Sequence, residues 1–310
     1  MYHLCTLTDK NYLVLGLTLY ESLRKNISDD FVLYYLCLDS ETYETIVNLK
    51  DKNIIPVSIG ELEKSPDFDI LKKNTKYAPM SCDASCTYCF ALGSFLPEYL
   101  MTKYQLPHIF YIDSDIVFYN DFKILSDEVS KKSIGIMLHR HNFIGANVGA
   151  YNVGVIYFKN DDVGYSCLKW WRDCVMNPNN EWFAAYGNCA DQKYLEAFEP
   201  LFGKENISIM DNTVGHGAPW NLGLYKYLDE EIGGTILWEP RSGLPFKTSR
   251  KQKMVFIHFS QFMPDFEKNT WAYDRNGCWN GCGLYGKASI DKYYNDYFEK
   301  LKSTKKAYGL

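Results

Sequence analysis

Phe110-Tyr111-Ile112-Asp113-Ser114-Asp115-Ile116-Val117-Phe118 carries two carboxylates, one residue apart, inside an apolar run. Flanks of this kind read as a buried strand, within 108–121, that ends in clustered acids. In a strand, residues i and i+2 share a face, so Asp113 and Asp115 can aim at one point. Adjacent carboxylates repel each other unless a cation sits between them. Ions among buried neighbours are costly without a partner. Oxygen ligands of this type suit Mg2+ or Mn2+. The triplet therefore predicts a divalent-metal site, and a solvated strand end is the simpler alternative.

Upstream, residues 2–8, 31–39 and 53–59 read as strands, and 13–24 and 41–50 show helical spacing. Strands that alternate with helices argue for a parallel sheet of βαβ units. Such sheets bind ligands at the carboxyl ends of their strands. A helix over roughly 84–102 leads into the acidic strand. Downstream, 133–138, 150–158, 206–210 and 253–259 read as strands, with helices at 163–176 and 190–198. The last periodic stretch, 288–302, groups Ile290, Tyr293, Tyr294, Tyr297 and Phe298 on one side of a helix. The expected class is α/β, a mixed sheet flanked by helices, with a mostly parallel first half.

A chain of 310 residues can bury a full core, and 46% hydrophobic with 23% charged residues excludes wholesale disorder. The formal charge of −5 argues against a nucleic-acid partner, which normally meets a basic face. No run of apolar residues is long enough for a membrane-spanning helix. Met1 to Cys5 has neither the basic flank nor the apolar core of a signal peptide, so a cytoplasmic location is expected. In that compartment the 10 cysteines read as reduced thiols.

FYIDSDIVF resembles the D-x-D strand of GT-A glycosyltransferases, especially the glycogenin-like family 8 and its bacterial polysaccharide-assembling relatives. The likeness runs from about residue 4 to 262, in the family's order. CTLTDKNYLVLGLTLYESLRK at 5–25 is similar to the first strand, nucleotide loop and first helix. NVGVIYF at 152–158 resembles the Asn-x-Gly strand, and DQKYL at 191–195 the Asp-Gln-x-x-Leu element. HFSQF at 258–262 carries the His-Phe of the third metal ligand.

The resemblance implies a GT-A catalytic domain over 1–260, with residues 261–310 as a C-terminal extension packed on it. It implies transfer of a hexose from a nucleoside diphosphate sugar, expected to be UDP-linked, to a glycan or lipid-linked acceptor hydroxyl, with retention. Asp113, Asp115 and His258 would hold Mn2+ (or Mg2+). Leu7, Thr8, Asp9, Tyr12 and Ser114 would bind the nucleotide. Asn152 and Gly154 would meet the donor sugar, and Asp191 and Gln192 would be the catalytic pair beside it. Apart from the resemblance, PWNLG at 219–223 offers an aromatic platform in Trp220 and an amide in Asn221 that suit a donor or acceptor sugar, and Asn188 is a further sugar-binding candidate. Plainer readings stand beside these. His258 can be a satisfied structural histidine, Thr8 and Asp9 can cap a turn, Asp191 can cap a helix, and PWNLG at 219–223 can be a packed loop.

Two cations of the family pattern are missing. No Arg follows Cys86-Thr87-Tyr88-Cys89-Phe90, and Ser260, Gln261 and Phe262 stand where a Gly-x-x-Lys would begin. Lys10, Arg241, Lys247 and Arg250 are the candidate substitutes on the diphosphate. Their absence keeps open a non-catalytic nucleotide-sugar-binding module. Cys82, Cys86 and Cys89 match the C-x-x-x-C-x-aromatic-C spacing of radical S-adenosylmethionine enzymes, which hold an iron–sulfur cluster. The polar, Pro79-containing stretch before them is not the required strand, so small buried thiols on a helix are favoured. Cys278 and Cys282 add a second pair that could complete a zinc site. His139 and His141 form an H-x-H without further ligands at a telling spacing. Lys300, Lys302, Lys305 and Lys306 follow the aromatic helix face. A solvated helix end is the favoured reading, and contact with an anionic membrane is the alternative.

Overall fold

The computed structural model describes residues 1–74, 84–141, 149–177, 181–182, 191–239, 249–275 and 287–310. Largely buried apolar runs make β1 (Tyr2–Thr8) and β2 (Phe31–Cys37), and a half-buried run makes the edge strand β3 (Ile54–Ser58). Between and after them lie α1 (Leu13–Asn26), α2 (Ser40–Asn48), α3 (Ile59–Leu62) and α4 (Phe68–Asn74). Asp39 starts α2 by accepting the Thr42 amide at 2.8 Å. Helix α5 (Ala84–Tyr104) precedes β4 (His108–Ile112) and β5 (Ile116–Phe118). Then come α6 (Lys123–Val129), β6 (Ile134–Leu138), β7 (Tyr151–Lys159) and α7 (Asp162–Met176). The later elements are a 3-10 turn (Gln192–Ala197), α8 (Phe198–Phe202), β8 (Ile207–Ile209) and β9 (Val214–Gly217). After them follow β10 (Lys226–Tyr227), β11 (Thr235–Trp238), β12 (Arg250–His258), β13 (Met263–Asp265), β14 (Thr270–Ala272) and α9 (Ala288–Tyr308).

The main sheet has the order β3-β2-β1-β4-β7-β6-β8. Strands β1 to β4 pair in parallel, and β7 runs antiparallel to β4 and β6, so the sheet is mixed as expected. The chain builds outward from β1 to β3, then returns to set β4 on the other side of β1. That reversal opens a crevice at the carboxyl ends of β1 and β4. A second sheet, β10-β11-β12-β5 with β9 beside β12, stands next to the first.

Residues 108–121 do not form the single strand expected of them. β4 belongs to the main sheet and β5 to the second, where Ile116 pairs with His258. Asp113, Ser114 and Asp115 form the turn between them, so their convergence does not come from a shared strand face. Each apolar flank is buried because each enters a different sheet. The expected helix over 190–198 is likewise a 3-10 turn running into α8.

Helix α9 extends to Tyr308 and buries Ile290, Tyr293, Tyr294, Tyr297, Phe298 and Leu301 against the second sheet's side of the molecule. Tyr297 stacks on Phe259 with ring centroids 4.0 Å apart, and Thr18 of α1 donates to Thr304 at 2.9 Å. The aromatic face is therefore covered by protein and offers nothing to a lipid surface. Lys300 and Lys302 pair along the helix with Asp296 and Glu299. Among the described residues no helix is long and apolar enough to cross a membrane. Cys5, Cys37, Cys167 and Cys174 are buried thiols, and Cys89 is a half-buried one. Cys82, Cys278 and Cys282, and the side chain of Cys86, lie outside the described residues.

These contacts set an expected contrast in α9. Leu301→Ala should destabilise the protein by about 2–5 kcal/mol through a core cavity. Ser303→Ala, at an exposed position of the same helix, should change stability by no more than about 0.5 kcal/mol. Urea unfolding of both variants measures this, and equal small shifts would contradict the packing described.

Candidate metal and substrate site

The acidic turn is clamped by backbone bonds from both sheets. The Asp113 amide donates to the Gly154 carbonyl at 2.9 Å, and the Phe259 amide donates to the Asp115 carbonyl at 2.9 Å. His258, the last residue of β12, brings Nε2 to 3.1 Å from Asp115 Oδ1 and 3.7 Å from Asp113 Oδ2. One ligand atom from each residue lies within 4.8 Å of the others, and this is the one such group among the described residues. Burial opposes a charged His258, yet Asp115 and Asp113 outweigh it and hold its pKa above the ordinary value. Burial pushes Asp113 up, His258 pulls it down, and Asp115 pushes it up again, for a net rise. Two crowded carboxylates and one imidazole form an O, O, N donor set that fits a divalent cation.

Beside this set stands a polar wall. Asn152 Oδ1 accepts the Gly154 amide at 2.9 Å and faces His258 Nδ1 at 3.4 Å. Asn152 Nδ2 donates to Gln192 Oε1 at 2.9 Å. Trp220 meets His258 edge-on, with ring centroids 5.6 Å apart. Asn152, Gly154, Gln192 and Trp220 are thus gathered around the proposed metal ligands. Asn221 is buried, and its amide is engaged within the fold, accepting from the Ala218 amide and donating to the His139 carbonyl. Asp191 is buried and makes no side-chain capping bond to the 3-10 turn it precedes. Burial, then the nearby Asp113, push its pKa up to about 8. Asn188 lies outside the described residues.

Of the nucleotide candidates, Leu7 and Thr8 end β1, Asp9 and Tyr12 lie on the segment that leads from it to α1, and Ser114 lies on the turn after β4. Thr8 shares a 2.8 Å hydrogen bond with the Tyr35 hydroxyl, and Asp9 accepts from the Asn11 and Tyr12 amides at 3.0 Å. Asp9 thus does the turn-building work of the plainer reading, whereas Thr8 is tied across to β2. Leu7 and Ser114 are half-buried, and Tyr12 is 42% exposed at the start of α1. Asp39 is a residue that sequence reasoning missed. It accepts the Lys10 amide at 2.7 Å and so ties the β1 loop to α2. The Asp-Ser-Glu-Thr run at a strand end was its available signal.

Of the candidate cations, Lys10 is on the β1 loop, 3.6 Å from Glu41. Arg250 opens β12 while His258 ends it, so eight strand steps, roughly 26 Å, separate them. Arg250 is therefore not a substitute for a diphosphate-binding cation at this site. Arg241 and Lys247 lie outside the described residues. His139 and His141 both contact the Gly149 carbonyl, and burial holds the His139 pKa down to about 3. The pair takes no part in the metal-ligating group.

Two outcomes follow from this geometry. A Cβ on Gly154 would lie 2.6 Å from His258 Nδ1. Gly154→Ala should therefore displace the imidazole and weaken Mn2+ binding at least about tenfold, as read by calorimetry; unchanged affinity would contradict the ligand assignment. Asp191 binds its proton more tightly folded than unfolded. The stability this confers is full below an ordinary carboxyl pKa, about 4, and is lost as pH rises through about 8. In metal-free protein, the melting temperature of Asp191→Asn relative to wild type should rise across that window. A flat difference would show that Asp191 is not held protonated.

No family model matches the chain. Two relatives come from Bacillus subtilis (strain 168), the uncharacterized proteins YfnF and YfnD. YfnF is 27% identical over 273 residues, 83% of this chain and 80% of the relative. YfnD is 24% identical over 307 residues, 97% of this chain and 89% of the relative. Among solved structures, galactosyltransferase LgtC in complex with donor and acceptor sugar analogs matches with a TM-score of 0.53. That match has 13% identity and covers 97% of this chain and 95% of LgtC. Mouse xyloside xylosyltransferase 1 matches with a TM-score of 0.50 at 14% identity, over 69% of this chain and 87% of the mouse protein. With its mixed sheet, its flanking helices and its strand reversal at β1 and β4, this chain has the GT-A fold.

Proposed function

We propose that this protein is a metal-dependent glycosyltransferase that moves a hexose from a nucleoside diphosphate sugar, UDP-linked, to a hydroxyl of a glycan or lipid-linked acceptor. The observation that carries the reading is the convergence of Asp113, Asp115 and His258 beside the carboxyl end of β4. Mn2+ or Mg2+ held there would neutralise the charge that grows on a departing diphosphate. The three side chains bind and orient that cation. Leu7, Thr8, Asp9, Tyr12 and Ser114 border the same crevice and are assigned to the nucleotide. Asn152, Gly154 and Trp220 cluster about His258 and are assigned to the sugars, with Asn188 and Asn221 retained from the sequence reading. Burial of Asp191 near Asp113 supports a role for it, with Gln192, at the donor sugar. Retention rests on the resemblance to a retaining family. Residues 1–260 are assigned the catalysis, and 261–310 the buttressing of it.

The distance of Arg250 from the acidic turn favours a second reading, a nucleotide-sugar-binding module without turnover. Donor hydrolysis by the purified protein, across a panel of nucleotide sugars, separates the two. Turnover should vanish in EDTA and return with Mn2+. Asp113→Ala or Asp115→Ala should lower it at least about 100-fold, close to 2.7 kcal/mol of transition-state stabilisation. Full turnover in EDTA would contradict the metal assignment. Tight donor binding with no hydrolysis or transfer would establish the module.

A further inference from the structure

Asn152 touches His258 from the side away from the carboxylates, and its two amide ends are not interchangeable. The Gly154 amide donates to Oδ1 at 2.9 Å, which fixes that end as the oxygen. Nδ2 donates to Gln192 Oε1 at 2.9 Å. The orientation is reinforced by His139. Its Nδ1 lies 2.8 Å from the Gly149 carbonyl, which can only accept, so Nδ1 carries the proton and Nε2 presents a lone pair. That lone pair faces Asn152 Nδ2 at 3.4 Å. A flipped amide would turn its oxygen toward the lone pair and its NH2 toward the Gly154 amide.

With the amide so fixed, Oδ1 faces His258 Nδ1 at 3.4 Å. An amide oxygen only accepts, so the facing Nδ1 must donate. On the neutral imidazole the remaining lone pair is then on Nε2, which lies 3.1 Å from Asp115 Oδ1 and 3.7 Å from Asp113 Oδ2, so a cation shared by the three would take the place of the proton those carboxylates favour there. The close approach needs a glycine at 154, where a Cβ would meet His258 Nδ1 at 2.6 Å and Asn152 Oδ1 at 2.7 Å. We propose that Asn152 is a positioning residue for the metal: locked by Gly154, Gln192 and His139, it holds His258 as the Nδ1–H tautomer and frees Nε2 to ligate. This rests on the reading of Asp113, Asp115 and His258 as metal ligands, and it goes beyond the sugar contact that the family likeness assigns to Asn152. An outer partner that orients a ligating imidazole typically changes metal affinity by 10- to 100-fold.

The test is Mn2+ binding to the full chain with no nucleotide or sugar present, followed by calorimetry and by the EPR signal of free Mn2+. Wild type should bind. Asn152→Ala should bind roughly 10- to 100-fold more weakly, and Asn152→Asp, which keeps an acceptor oxygen, should recover most of the loss. Equal affinity of wild type and Asn152→Ala, with only the donor KM raised, would overturn the proposal and return Asn152 to the sugar. Absence of Mn2+ binding by wild type would instead remove the metal reading on which it rests. If Asn152→Ala does not fold, nitrogen-correlated NMR of Mg2+-loaded wild type decides. A slowly exchanging proton on His258 Nδ1 supports the relay, and an unprotonated Nδ1 overturns it.

Discussion

Two carboxylates one residue apart repel each other, and at a half-buried turn water can do little to relieve them. The chain around Asp113 and Asp115 is arranged about that constraint. One aspartate is tied by its amide to β7, the other by its carbonyl to the end of β12. The two cannot drift apart without breaking backbone bonds to interior strands of two sheets. The repulsion of like charge is thereby held at one point, and His258 brings an imidazole nitrogen to it from the same β12 terminus.

The join between the sheets is held from outside by α9. Tyr297 stacks on Phe259, whose amide holds Asp115, and Phe259 follows His258 directly. Aromatic pairs of this kind contribute about 0.5–1.5 kcal/mol beyond the area they bury. Surface pairs such as Lys302 with Glu299 contribute a few tenths. The helix is therefore positioned by its tyrosines and Leu301, while Lys300, Lys302 and Lys305 are half-buried with their ammonium groups over Tyr119, Phe298 and Phe266. A segment near residue 297 thus supports a turn at residue 115, across most of the length of the chain.

Much of the first half was legible in order. The apolar runs at 2–8, 31–39 and 53–59 and the helical spacing at 13–24 all became the expected elements, because burial on one or both faces imposes a period that short windows reveal. The short strands β9, β10, β11, β13 and β14 were not legible, since two to four residues carry no usable period. The break at Asp113 was hidden for a related reason. Two strands of different sheets, joined by a tight acidic turn, have the same apolar signature as one long strand.

By itself the sequence determined the α/β class, the acidic triplet with its like-charge repulsion, and the identity of the three residues that converge. Hydrophobic period and like-charge repulsion are local properties, and the order of the family-like segments supplied the distant histidine. Only the tertiary structure decided how those residues meet. It placed Asp113 and Asp115 in a turn between sheets, removed Arg250 to the far end of β12, covered the aromatic face of α9, and turned Asn152 toward His258. Strand pairing and amide orientation depend on partners tens to hundreds of residues away, and no local window of sequence contains them.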